Sequence, residues 1–180
     1  MNPHEIDLHK ELKKYFGFNQ FKGLQEQVVK SIITGNNTFV IMPTGGGKSV
    51  CYQIPAIMAD GLTVVISPLI SLMQDQETNL NKIGVAAKSL TSFNTPEEQE
   101  MIKELAKNNE LKVLMVAPER ASSIITFLKK NKVKNDSFRK NQKQRHLADY
   151  HHRLGSICVH CRGGFPFLQW HQRSEQPADR

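Results

Sequence analysis

Lys48 and Ser49 follow three consecutive glycines in the stretch Ile41-Met42-Pro43-Thr44-Gly45-Gly46-Gly47-Lys48-Ser49. Glycines there can take positive φ and let backbone N–H groups close on phosphate oxygens. A helix starting near Lys48 would point its positive dipole end at the same phosphates. The lysine would then reach the β- and γ-phosphates, and the serine hydroxyl would serve Mg²⁺. The strict phosphate-loop pattern asks for glycine five residues before Gly47, and Met42 stands there instead. An ordinary glycine-rich turn with an exposed lysine is the alternative. The flanking apolar strand, the restarting helix and the Lys-Ser pair together favour nucleotide binding.

The elements that must position this loop alternate. "PHEIDLHKELKKYF" carries apolar residues at helical spacing, and "LQEQVVKSIITG" gives a second helix closed by Gly35. "TFVIM" (38–42) is a short apolar strand, and "KSVCYQIPAIMAD" is the helix after the glycines. Strand "LTVVIS" (62–67) leads through Pro68 into a helix, and "VAAKSL" is a third strand. Thr95-Pro96-Glu97-Glu98 has the form of a capping box with proline at the first helical position. A fourth strand, "LKVLMVA" (111–117), precedes Pro118 and a helix to about Lys130. Short apolar strands separated by helices of a dozen residues imply α/β architecture with a parallel sheet.

With these elements in place, the chain resembles the RecQ-type DNA helicases of superfamily 2. "VIMPTGGGKSVCYQIPA" resembles their motif I, which begins with Met-Pro or a similar pair and so accounts for Met42. "YFGFNQFKGLQEQVV" resembles motif 0, "VVISPLISLMQDQ" motif Ia and "LMVAPER" motif Ib, covering roughly residues 4 to 134. The resemblance implies a partial RecA-like P-loop NTPase lobe that uses ATP and Mg²⁺, with Thr44, Gly45, Gly46, Gly47, Lys48 and Ser49 around the phosphates. Gln25 would hydrogen-bond the adenine edge and Phe18 would lie beside the base. Lys22 stands where the family usually has arginine, which keeps the charge but loses the planar stacking surface.

The partner implied is DNA, single-stranded or partly duplex, held without sequence preference. Ser67-Pro68 at a strand end, with Ser71, would offer backbone and hydroxyl donors to a DNA phosphate. Pro118-Glu119-Arg120 would repeat the arrangement after the next strand. A capped helix start and a surface ion pair are the plainer readings of the same residues. The activity implied is ATP-dependent 3′-to-5′ unwinding, of which this chain would be the N-terminal part.

Unwinding also needs an acid on Mg²⁺, a residue orienting the attacking water, and an arginine from a second lobe. The family's acids come as Asp-Glu-Ala-His about twenty residues past motif Ib, where this chain reads "KNQKQR"; no Asp-Glu pair occurs in the 180 residues. Asp149-Tyr150-His151-His152 has tyrosine in place of the glutamate. No catalytic residue is therefore assigned, and little or no hydrolysis is expected of the chain alone.

Composition changes near residue 136. Residues 1–136 hold 15 Lys and 1 Arg against 14 acids; residues 137–180 hold 2 Lys and 6 Arg against 3 acids, with five of the seven His, two of the three Cys and the one Trp. The net charge of +7 is thus concentrated in the last quarter, and is weak support for a nucleic-acid partner. No helical or strand period is evident after 136, and the tail reads as non-homologous and irregular. Cys158-x-x-Cys161 with His151, His152, His160 or His171 would suffice for zinc, but a lone CxxC with loosely spaced histidines is a weak signal. A disordered basic tail is a second reading. Loss of reading frame near 136–139 is the favoured third. Three cysteines, no apolar leader and no membrane-length apolar run lead to the expectation of a cytoplasmic chain without a disulfide framework or membrane contact.

Overall fold

The computed structural model describes residues 7–42, 45–131, 158–161 and 168–171, the last two segments as backbone strands. The elements are α1 (Leu8–Phe16), α2 (Gln25–Ile33), β1 (Thr38–Ile41), α3 (Lys48–Met58), β2 (Thr63–Ile66), α4 (Ile70–Lys82), β3 (Ala87–Leu90), α5 (Pro96–Lys107), β4 (Val113–Val116), α6 (Pro118–Lys130), β5 (Cys158–Cys161) and β6 (Leu168–His171). The sheet order is β1-β6-β5-β2-β4-β3. β2, β4 and β3 are parallel, as are β1 and β6, while β5 runs antiparallel to both β2 and β6. Five strands therefore point the same way, and the carboxyl ends of β1 to β4 open on one edge of the sheet.

The expected α/β fold is present, and its packing follows from alternation along apolar strands. Val65, Val113 and Met115 face a core built with Val28, Ile32, Cys51, Tyr52, Met73 and Leu80 of α2, α3 and α4. Val64, Leu114 and Val116 face the opposite core with Ile102, Ala106, Ala121, Ile124 and Leu128 of α5 and α6. α1 lies outside this sandwich, burying Leu8 and Leu12 against Val29, Val50 and Ile54. Both faces of β2 and β4 are covered, which is why, Thr63 apart, their sequences are apolar.

Local chemistry fixes the helix starts. Asp7 caps α1 by accepting from the backbone of His9 and Lys10, both at 3.1 Å. The capping box of α5 is complete: Glu98 N–H donates to Thr95 Oγ1 at 3.2 Å, and Thr95 N–H donates to Glu98 Oε2 at 2.9 Å. Pro118 is the first residue of α6. Pro68, expected to open α4, lies two residues before its first helical residue, Ile70. A turn closed by Leu69 N–H on Ser67 Oγ at 3.4 Å intervenes.

The stretch after residue 136, expected to be irregular, contributes β5 and β6 between β1 and β2. Ladder pairing uses backbone donors and acceptors, so any segment free of proline can supply it. Strands of four residues are too short to display a period. Among the described residues no group of three or more His, Cys, Asp or Glu side chains is placed to hold a metal ion. His151, His152 and the segment 149–152 lie outside the described residues. No described helix is long and apolar enough to cross a membrane.

Two truncations test this frame by chemical denaturation. Thr95→Ala removes an N-cap and should cost about 1 kcal/mol. Leu114→Ala, at a fully buried strand position, should cost about 2–5 kcal/mol.

Candidate nucleotide site

The loop between β1 and α3 is shaped by backbone that L-residues resist. Gly45 has φ +78° and Gly47 has φ +69°. Gly47 occupies the N-cap position of α3, and no side chain caps the amino end of the helix. Lys48 and Ser49 are the first two helical residues, both half-buried. The loop and the helix dipole converge on one point, an arrangement that suits an anion. Pro43 and Thr44 lie outside the described residues.

Gln25, the first residue of α2, holds this loop from behind. It is 4% exposed. Its Nε2 donates to the Gly47 carbonyl at 2.9 Å and to the Gly46 carbonyl at 3.5 Å, and its Oε1 accepts from Lys22 N–H at 2.7 Å. In a trans peptide the C=O and the following N–H point opposite ways. Carbonyls drawn toward Gln25 therefore turn the N–H groups of Gly47 and Lys48 away from it. A Cβ added at Gly47 would sit 2.2 Å from Gln25 Nε2, so a side chain there would displace the Gln25 amide as well as strain the backbone.

Phe18 and Lys22, expected beside the base, are brought together: the Lys22 ammonium lies 6.0 Å from the Phe18 ring centroid, and the ring is half exposed. Phe18, Lys22 and Gln25 thus share one loop-to-helix junction next to the phosphate loop.

The residues expected at DNA are spread along the same sheet edge. Ser67 N–H donates to the Val116 carbonyl at 3.1 Å, and Ala117 N–H to the Leu90 carbonyl at 2.9 Å, so the ends of β2, β4 and β3 are knit side by side. Ser67 is buried with its hydroxyl in the turn before α4, whereas Pro68 and Ser71 are exposed. α4 and α6 both begin without a side-chain cap. Pro118 and Arg120 are half-buried at the start of α6.

Sequence reasoning missed a buried polar cluster behind the loop. The Tyr52 hydroxyl donates to Gln76 Oε1 at 3.2 Å, and Gln53 Nε2 donates to the same oxygen. Tyr52 is 2% and Gln53 4% exposed. Burial pushes the Tyr52 phenol up to about 12, against a smaller opposing effect of hydrogen bonds with Ser49 and Gln53. Burial likewise pushes the Cys51 thiol up to about 12. The available signal was a glutamine on the buried face of an apolar helix, which demands a partner.

With this geometry in view, residues 22–147 match the family described as DEAD/DEAH box helicase, and the chain belongs to that family. Within it, the relatives are of RecQ type. The chain is 44% identical over 119 residues to the RecQ-like DNA helicase blm-1 of Caenorhabditis elegans, covering 65% of this chain and 12% of that one. It is 47% identical over 109 residues to the ATP-dependent DNA helicase RecQ of Haemophilus influenzae, covering 61% and 18%. To the RecQ of Bacillus subtilis it is 45% identical over 116 residues, covering 63% and 19%. The chain therefore spans less than a quarter of the length of these relatives. The solved structure of the DUF1998 helicase MrfA bound to DNA and AMPPNP shares the fold at a TM-score of 0.53 and 16% identity, over 73% of this chain and 20% of that one.

Two outcomes follow from the site. Gly47→Ala should cost about 1–3 kcal/mol from the left-handed backbone alone, and adding Gln25→Ala should relieve the side-chain clash but not that strain; denaturation midpoints read both. The phenol and the thiol are neutral when protonated, and their folded pKa values lie above the ordinary 10.0 and 9.0. Their contribution is complete below about pH 9 and is lost as pH rises toward about 12. Stability should fall steadily over that window, and Tyr52→Phe should flatten its upper part.

Proposed function

We propose that this chain supplies the nucleotide-binding and part of the DNA-binding surface of a RecQ-type, ATP-dependent 3′-to-5′ DNA helicase. The observation that carries the reading is the uncapped start of α3 behind a left-handed Gly47 whose carbonyl is held by Gln25. ATP with Mg²⁺ suits this cradle. Backbone N–H groups of the glycine loop, with Thr44 alongside, would meet the phosphates, Lys48 would neutralise them and Ser49 would offer its hydroxyl to the metal. The base would lie toward Phe18 and Lys22. For Gln25 to read adenine it would use the remaining lone pair of Oε1 or exchange a loop hydrogen bond, since its amide is already engaged.

The starts of α4 and α6 would hold successive phosphates of a single strand, with Pro68, Ser71, Pro118 and Arg120 at the surface and Ser67 fixing the turn. Contacts of that kind track a backbone without reading bases. The sequence has no Asp-Glu pair to assign to Mg²⁺ opposite Ser49, so binding without efficient turnover is the expected behaviour. The same lack favours a second reading, a non-catalytic module whose grip on a single strand is gated by nucleotide.

The composition break at 136–139 is read as a loss of frame in the coding DNA. Another frame there should encode an apolar strand followed by Asp-Glu-Ala-His, and its absence from all frames would refute this. Binding of a fluorescent ATP analogue with Mg²⁺ should be abolished by Lys48→Ala; unchanged binding would place the cradle elsewhere. ATP hydrolysis should stay near background with and without oligo(dT), and DNA-stimulated turnover would overturn the account of the missing acids.

A further inference from the structure

The nucleotide loop and the turn before α4 each lead into the amino end of a helix, and the two helices meet through a part-buried polar contact. Tyr52 lies one turn into α3 from Lys48, and Gln76 lies between one and two turns into α4 from Ile70. Gln76 Oε1 takes hydrogen bonds from both the Tyr52 hydroxyl and the Gln53 amide. Ser49, which the proposed function sets at the metal, stands three residues before Tyr52 on the same helix. Polar contacts thus tie Tyr52 and Gln53, just inside the start of α3, to Gln76 of α4, beside a core that includes Cys51, Met73, Leu80 and Met115. Met73, one turn before Gln76, gives its carbonyl to Ser89 Oγ at 3.3 Å, which fixes α4 to β3.

Packing alone would be served by apolar side chains at these positions, because burying hydroxyl and amide groups is costly unless every one is paired. What hydrogen bonds add is direction: a donor and an acceptor tolerate far less relative displacement than two methyl groups. The Tyr52–Gln76 hydrogen bond is therefore a directional tie between the first turns of α3 and the helix whose amino end follows Ser67 and Pro68 and carries Ser71.

We propose that Tyr52 and Gln76 are positioning residues that link occupancy of the phosphate loop to the grip of the α4 start on a single-stranded DNA phosphate. The proposal rests on the proposed function, since it requires both ligands to bind where that reading puts them.

The test uses the full chain, a fluorescent ATP analogue with Mg²⁺, and oligo(dT), each titrated alone and with the other saturating. In the unmodified chain each ligand should shift the affinity of the other by about fivefold or more, and by the same factor in both directions. Tyr52→Phe keeps the ring and removes one hydrogen bond; it should leave each single-ligand affinity within about twofold while the reciprocal shift collapses toward one. Gln76→Leu should do the same, and the double variant should lose nothing more. A merely structural role would weaken both ligands together and leave their ratio intact. The proposal is overturned if folded Tyr52→Phe or Gln76→Leu protein keeps the full reciprocal shift, or if the unmodified chain binds both ligands with no shift. Unfolding of both variants assigns the cluster to folding and also overturns it. Failure of the unmodified chain to bind either ligand alone is a different result: it removes the proposed function itself, and the link with it.

Discussion

The Gln25 carboxamide donates to the carbonyls of Gly46 and Gly47 and takes the Lys22 N–H on its oxygen, and the nucleotide end of the sheet is built around those bonds. They join three pieces that the chain delivers separately: the loop before α2, the helix α2, and the turn between β1 and α3. Because peptide planes are rigid, fixing two carbonyls on one side fixes two N–H groups on the other. A left-handed Gly47 is the conformation that allows both, and any residue with a Cβ would be strained there. An amide is suited to this post, since it carries donor and acceptor on one planar group and stays uncharged when buried.

Much of the scaffold was legible because its signals are local. Apolar runs of four to six residues between helical stretches mark strands covered on both faces, and Val113–Val116 is buried throughout. Thr95 and Glu98 announced their capping box by spacing, and Pro118 its helix start. The four motifs resembling RecQ helicases likewise rest on short contiguous stretches. Pro68 misled because proline is equally at home in the turn before a helix, here closed on the Ser67 hydroxyl.

What was not legible depends on partners distant in sequence. Gln25 could be read as a base-contacting amide, but its bonds to a loop twenty-two residues on are a product of packing. The meeting of Tyr52, Gln53 and Gln76 belongs to the same class. β5 and β6 were invisible for another reason. Their pairing draws on backbone groups that every sequence has, so composition that looks foreign can still complete a ladder. β1 keeps Phe39 and Ile41 exposed while Val40 is buried, and its apolar sequence overstated how much of it the described residues cover.

The placement of β6 carries a consequence for the order of assembly. β1, which leads directly into the phosphate loop, joins the sheet through β6, with Thr38 opposite Leu168. β2, β4 and β3 pair among themselves over much shorter spans of chain. Closing the longer loop has a larger entropic cost, so this pairing is expected to form later. During synthesis the three-stranded half with α4, α5 and α6 can form while β1 still waits for its neighbour. The cradle for the nucleotide is then seated after the half of the sheet that follows it in sequence.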